Sequence, residues 1–376
     1  MPSKNHRRVV VRATEDLLGR PTPRRPTLKD VAEASGFGLR TTKKVMSGGQ
    51  AVPEATRDAI LAAAQTLGYE KNLIASALAL SRNEKIAIIY TETTKNYFPE
   101  VEAGFRRFAE ARKDYGFESV FVKGTDASLE WQANALKAAL DEPNITGVLL
   151  QPISFDGLDP WIADLVDAGK PVITFGSDAP NSARQAYIGP DAYKAGRIGG
   201  QVLGNYVGRA GRVLVASRAA AHMQTKERRR GFLDVVTAKF PGIEPIDLFL
   251  HDDEETYEAI RAAIQTTEYA GIFITYADAS DAGRALKDLG MSNVVLVGFD
   301  SSIETLALLQ EGFVDVILEQ NPDLFCYEAL EMMFNLRYHG TKPPSQSLTE
   351  VAILTGECLG PTDDELRASE RGSTRS

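Results

Sequence analysis

Residues 27–80 read TLKDVAEASGFGLRTTKKVMSGGQAVPEATRDAILAAAQTLGYEKNLIASALAL, and the rest of the chain is organised around them. Leu28, Val31, Ala32 and Ser35 recur at helical spacing and stop at Gly36-Phe37-Gly38, a break with room only for a tight turn. Two helices therefore meet at a corner. Thr27 and Asp30 have capping-box spacing: the hydroxyl can accept from the orphan amides, and the carboxylate suits the positive end of a helix. A second helix over 39–46 turns Thr42, Val45 and Met46 inward and leaves Leu39, Arg40, Lys43 and Lys44 outward. That outer face suits a DNA major groove, since cations reach phosphates and guanines while Leu39 reaches thymine methyls. A third amphipathic helix, over 53–67, carries Ala59, Ile60, Ala63 and Leu67 on one stripe and closes a three-helix core.

The segment resembles the headpiece of the lactose-repressor (LacI-type) family of bacterial transcription regulators. Thr27, Asp30, Val31, Ala32, Gly36, Thr41, Val45, Val52, Thr56, Arg57, Leu67, Gly68, Tyr69, Asn72, Ala75 and Leu78 stand in register with the family pattern. The departures cluster where bases and phosphates are met. Gly38 stands for a serine, Thr42 for a valine, Lys43 for a serine, Lys44 for an arginine, Ser47 for an asparagine and Lys71 for a proline. The resemblance implies DNA binding by Leu39, Arg40, Lys43, Lys44 and Ser47, with Thr27, Thr41 and Thr56 positioning the backbone. Lysine at 44 loses the bidentate fork that arginine offers to guanine.

The stretch NLIASALAL, residues 72–80, is rich in helix formers but too short to hold a helix alone. The resemblance makes it a hinge helix that orders in the minor groove beside its dimer mate, with Asn72 at its start and Leu78 wedged between base steps. The plain alternative is a linker helix packed on the body.

Charge agrees with a basic DNA-facing end. Net charge is −9 over 376 residues. Residues 1–26 hold seven cations against two anions, and residues 27–82 hold seven against five, leaving +5 and +2. The remainder then carries −16, an acidic body behind a basic end. The Pro/Arg-rich N-terminal stretch is read as a disordered tail or as a basic arm reaching phosphate.

Composition excludes several classes. The 43% hydrophobic content allows ample buried core. Cys326 and Cys358 are isolated, which indicates neither a disulfide framework nor a zinc site. No apolar run has signal-peptide character or membrane-spanning length, so the expected compartment is the cytoplasm. No G-x-G-x-x-G follows the first strand, and no P-loop or G-x-S-x-G elbow occurs, so an enzyme is not expected and no cofactor is implied.

From residue 85 the chain alternates short apolar strands (IAIIY, SVFVK, GVLLQ, PVITF, RVLVA, GIFIT, VVLVG, VDVIL) with amphipathic helices. The expected fold is an all-α helix-turn-helix headpiece followed by two doubly wound α/β lobes with parallel sheets. The body resembles the type I periplasmic sugar-binding proteins, most sharply in PVITFGSDAPNSARQAYIGPDAYKAGRIGG, residues 171–200. Gly176 stands there where an aspartate is common, and Asp178 remains. Arg228-x-x-Gly231-Phe232 and VGFD ending at Asp300 are further matches, and Asp278 and Gln320 hold analogous loop positions.

The resemblance implies that Arg228, Asp178 and Asp300 hydrogen-bond ligand hydroxyls. Asp178 and Asp300 are also placed to cap turns, and Arg228 to lie in a solvated basic run. Tyr97 and Phe98 stack on a sugar ring or fill core, and Tyr276 sits at a strand end. Five segments follow: a basic extension (1–26), a headpiece (27–70), a hinge (71–84), an effector and dimerisation body (85–360) and a polar tail (361–376). The expected protein is a homodimeric repressor of operator DNA, controlled by a sugar, polyol or sugar acid. A transport receptor without a DNA role is the competing reading.

Overall fold

Thr27 caps the first helix from both sides. In the structure, a computed structural model that describes residues 26–46, 52–67, 69, 84–92, 97–125, 128–218, 223–251 and 256–360, its amide donates to Asp30 Oδ2 at 2.6 Å while its Oγ1 accepts from the Asp30 amide at 3.4 Å. This reciprocal cap starts α1 (Leu28–Ser35). The helix ends at Gly36, whose φ of +73° is one that a glycine adopts without strain. The Gly38 carbonyl then accepts from the Thr41 and Thr42 amides and opens α2 (Leu39–Met46). With α3 (Glu54–Thr66), these helices bury Val31, Val45, Ile60 and Ala64, against which Phe37, Met46, Val52 and Leu67 pack. Ala59 is exposed instead of lying on the inner stripe. Ala64 takes that place because it stands one turn beyond Ile60 on the same face.

The second compact unit, within residues 82–376, holds two six-stranded sheets. The first has the order β11–β5–β4–β3–β1–β2 and is parallel throughout. Its strands are β1 (Glu84–Thr91), β2 (Phe117–Gly124), β3 (Ile145–Leu150), β4 (Val172–Phe175), β5 (Ala186–Pro190) and β11 (Gln346–Thr349). Ile86 through Tyr90 are all buried, the pattern of an inner parallel strand covered on both faces. One face is covered by α4 (Phe98–Ala111) and α12 (Pro322–Phe334), through Val101, Phe105, Phe108, Phe325 and Met333. The other carries α5 (Leu129–Asp141) and α6 (Asp159–Asp167). Lys170 ties α5 down, its ammonium donating to the Ala139, Leu140 and Glu142 carbonyls at the helix end.

The second sheet has the order β12–β10–β9–β8–β6–β7. It comprises β6 (Ala210–Arg218), β7 (Gly242–Leu250), β8 (Gly271–Ala277), β9 (Val295–Phe299), β10 (Val316–Glu319) and β12 (Ala352–Leu354). Only β12 runs antiparallel, beside β10. Around this sheet lie α7 (Ala192–Tyr206), α8 (Met223–Lys239), α9 (Thr256–Thr266), α10 (Ser280–Asp288) and α11 (Ile303–Glu311). The chain passes between the sheets three times: after β5, after β10 and after β11.

The eight apolar strands expected from sequence are present, but β5, β7, β11, β12 and helix α11 were not anticipated. Strand β7 contains Pro245 and alternates in exposure, as an outer strand can where its N–H groups face solvent. Strands β11 and β12 are short, and mostly exposed or half-buried.

Candidate functional site

Arg228 reaches its position through glycine packing. Helices α7 and α8 cross so closely that a Cβ on Gly196 would lie 1.9 Å from the Arg228 carbonyl oxygen, and one on Gly231 would lie 2.1 Å from that of Tyr193. Only glycine permits this approach, and it fixes the Arg228 backbone. The side chain is 4% exposed, with the centre of its guanidinium 3.9 Å from the middle of the Phe299 ring. Phe299 packs edge-on against Phe273, which stacks on Phe232.

The guanidinium is shared between a strand end and a crossing segment. Its Nη1 donates to the Thr275 carbonyl at 3.1 Å and its Nη2 to Gln320 Oε1 at 2.6 Å. Gln320, just after β10 on the second crossing, donates through Nε2 to both Asp300 oxygens at 2.6 Å. Burial raises the Asp300 carboxyl to about 7; Arg228 opposes the rise and Glu319 adds to it. Burial also lowers the Arg228 pKa, against the pull of Asp300.

The first lobe supplies neutral groups. The Tyr97 hydroxyl lies 3.6 Å, and Gln151 Nε2 3.1 Å, from the point where a side chain on Gly176 would begin. Burial raises the Tyr97 pKa, and the charges of Asp300 and Arg228 reach it across the lobes. Thr91 Oγ1, Gln151 Oε1, Ser177 Oγ and Arg228 Nε are buried without a hydrogen-bond partner among the described residues. Such atoms are costly unless something satisfies them. Gln132, wholly buried, holds the loop that carries Gln151: its Nε2 donates to the Gln151 carbonyl at 2.8 Å and its Oε1 accepts from the Ile153 amide at 3.0 Å.

Of the residues nominated from sequence, the structure brings Tyr97, Arg228, Asp300 and Gln320 together and engages the others elsewhere. Asp178 pairs with Arg184, whose Nη2 donates at 2.7 Å, and also accepts from the Thr174 hydroxyl and the Ala179 amide, so its oxygens hold the loop after β4. Asp278 accepts from the Ser280 amide and the Thr305 hydroxyl, tying α10 to α11. Phe98 stacks on Tyr90 within the core, and Tyr276 packs in the core on the sheet face away from Phe273, with Arg218 over its ring. Thr91, Gln132, Gln151 and Ser177 were not singled out. For Thr91, Gln151 and Ser177 a signal existed, because each stands at the carboxyl end of a parallel strand.

In the headpiece, Leu39, Arg40, Lys43 and Lys44 are exposed on one side of α2 while Thr42 and Val45 face the core. Thr27, Thr41 and Thr56 are half-buried nearby at helix starts. Ser47, Asn72 and Leu78 lie outside the described residues, as do the N-terminal extension, the hinge and the tail. No described helix is long and apolar enough to cross a membrane.

Comparison with known proteins accords with this geometry. Residues 86–341 match the family model described as periplasmic binding protein domain, and residues 27–72 match bacterial regulatory proteins, lacI family. Among curated relatives, the HTH-type transcriptional regulator CelR of Thermobifida fusca is 28% identical over 291 residues, covering 74% of this chain and 83% of that protein. The ribose import binding protein RbsB of Escherichia coli K12 is 23% identical over 255 residues, covering 66% and 82%. The solved structure of GanP, a glucose-galactose binding protein from Geobacillus stearothermophilus, superposes with a TM-score of 0.63 at 23% identity, covering 74% of this chain and 99% of that one. The chain belongs to the periplasmic binding protein domain family, and it carries a lacI-family DNA-binding headpiece at its amino end.

Proposed function

We propose that the protein is a transcriptional repressor that binds operator DNA as a homodimer and is controlled by a sugar or polyol held between its two lobes. Leu39, Arg40, Lys43 and Lys44 enter the major groove with Ser47 beside them, while Thr27, Thr41 and Thr56 meet the phosphate backbone. Asn72 and Leu78 belong to the hinge that pairs in the minor groove. The effector lies among Tyr97, Gln151, Arg228, Asp300 and Gln320. Asp178, Asp278, Tyr276 and Phe98 support this site without touching the ligand. The sugar-binding relatives agree with such an effector, and the regulators with the headpiece.

The observation that carries the reading is the buried Arg228–Gln320–Asp300 chain at a crossing between the lobes. Buried charge is expensive unless partnered, and a polyhydroxyl ligand supplies the missing hydrogen bonds. A ligand that prefers one lobe arrangement then shifts the body between states, with inducer and corepressor action equally open to it. The test is selection of binding sites from random duplex DNA by the full-length chain. A pseudo-palindromic site whose affinity falls steeply with salt is expected. No selected sequence, together with tight sugar binding, favours a transport-type receptor instead.

A further inference from the structure

We infer that the ion pair between Arg337 and Glu84 is the joint at which α12 passes the state of the effector crossing to the hinge. Arg337 then positions the hinge exit while touching neither ligand nor DNA, a role that rests on the effector reading above. Helix α12 begins two residues after Gln320, on the second crossing between the lobes. Asn321, between Gln320 and the helix, holds a left-handed backbone with φ of +54°, which asparagine tolerates better than most residues. Glu319, just before Gln320, accepts from the Asn321 amide at 3.0 Å and from the Ser301 amide of the second lobe at 2.9 Å. The crossing is a defined bend, tied to the second lobe and leading straight into α12.

From there α12 runs back along one face of the first sheet, a length of about 20 Å at the helical rise per residue. Phe325, in its first turn, lies 3.6 Å from the point where a side chain on Gly176 would begin, beside the site. Met333, in its last turn, lies 2.8 Å from the corresponding point on Gly147, near the amino end of β3. The helix cannot slide on its own lobe: the Asp323 carbonyl fills the place of a Cβ on Gly104 of α4, and Arg107 pairs with Asp323 at 2.9 Å. Beyond Phe334 the helix widens into one π turn, Asn335–His339, a local departure of the kind often found at functional positions. That turn stacks Tyr338 on Phe334 with ring centres 4.6 Å apart and aims Arg337 at Glu84, its Nη2 donating to Oε1 at 3.4 Å. Glu84 ends the hinge segment and opens β1, so the chain enters the body at the point that Arg337 holds. The two side chains are only 22% and 11% exposed, so their separation is felt more than that of a surface pair. A change of lobe angle at the Asn321 bend therefore reaches Glu84 through a rigid helix, and without the ion pair the hinge exit no longer follows it.

The test is the operator affinity of the full-length protein on its selected DNA site, with and without whichever of D-ribose, D-glucose, D-galactose and myo-inositol raises the Tm of the body most. In Arg337→Met and in Glu84→Gln the ligand should change the operator Kd less than about threefold, against at least about tenfold in the wild type. Ligand affinity by isothermal titration should stay within about twofold of wild type, because neither residue lies at the site. The exchanged pair, Glu84→Arg with Arg337→Glu, should recover most of the coupling. Lys170→Met, which unties α5 on the opposite face and lowers the Tm, should keep all of it. Wild-type coupling in both single variants, or coupling lost equally in Lys170→Met, overturns the inference and leaves the effector reading standing. A wild-type operator Kd that none of the four compounds changes removes the effector reading, and the inference with it.

Discussion

Gln320 Nε2 lies 2.6 Å from each Asp300 oxygen while its Oε1 accepts a hydrogen bond from Arg228 Nη2, so one amide on a crossing segment separates and joins a buried cation and a buried anion. The amide is the only side chain bridging them among the described hydrogen bonds, and it lies on the segment that crosses between the lobes.

Replacing Gln320 with leucine should leave Arg228 Nη2 unpaired and the Asp300 carboxylate with only the backbone amide of residue 320. A loss of about 1–3 kcal/mol is expected for each orphaned group that finds no water, with effector affinity lowered more than tenfold. Denaturant unfolding and effector titration on one preparation check both. Stability and affinity equal to wild type would contradict the bridge.

Asp300 gives a pH signature. Its carboxyl is raised to about 7, whereas an unfolded aspartate titrates near 4. Below about pH 4 both states are protonated and the group costs nothing. Between about 4 and 7 the folded state binds the extra proton, so stability falls as pH rises, and the loss is complete above 7. Glu100, raised to about 7, acts in the same direction. The difference in Tm between wild type and Asp300→Asn should therefore move in favour of the variant from pH 5 to pH 8. A difference constant with pH would mean that Asp300 is not perturbed.

The α7–α8 crossing is tested by Gly196→Val. Its side chain would begin 1.9 Å from the Arg228 carbonyl, so the helices must separate, at a cost of more than about 3 kcal/mol. Thermal unfolding of the body should drop while the headpiece transition stays in place. A body melting as in the wild type would show that the crossing is looser than described.

Thr27→Ala removes one half of the reciprocal cap on α1. Headpiece stability should fall by about 1 kcal/mol, and Thr27→Ser should restore most of it. Hydrogen exchange at the α1 amides reports the change; exchange that is as slow in the alanine variant as in wild type would contradict the cap.

The framework was legible in the sequence where local signals suffice: the Thr27–Asp30 cap, the continuous apolar strands such as Ile86–Tyr90, and the amphipathic helices between them. Strand β7 was not, because Pro245 and an alternating pattern hide a strand that only its neighbour defines. The site was half legible. Arg228 and Asp300 carry family motifs and Gln320 an analogous loop position, yet their bridge depends on a crossing that brings together residues 92 positions apart. Asp178 was read either as a ligand contact or as a turn cap, and its pairing with Arg184 forms only once the loop after β4 has folded. Gln132 is an ordinary helix residue until tertiary packing aims it at the Gln151 loop.

The central claim, that a small molecule between the lobes sets the affinity of the headpiece for DNA, is tested most directly by fluorescence anisotropy of the full-length protein on its selected DNA site. The titration is run with and without a saturating neutral sugar or polyol found to raise the Tm of the body. The account predicts an operator Kd changed at least about tenfold by the ligand, the scale of an ordinary allosteric coupling, and no change in an Arg228→Met variant. An operator affinity that is identical with and without bound ligand would contradict it.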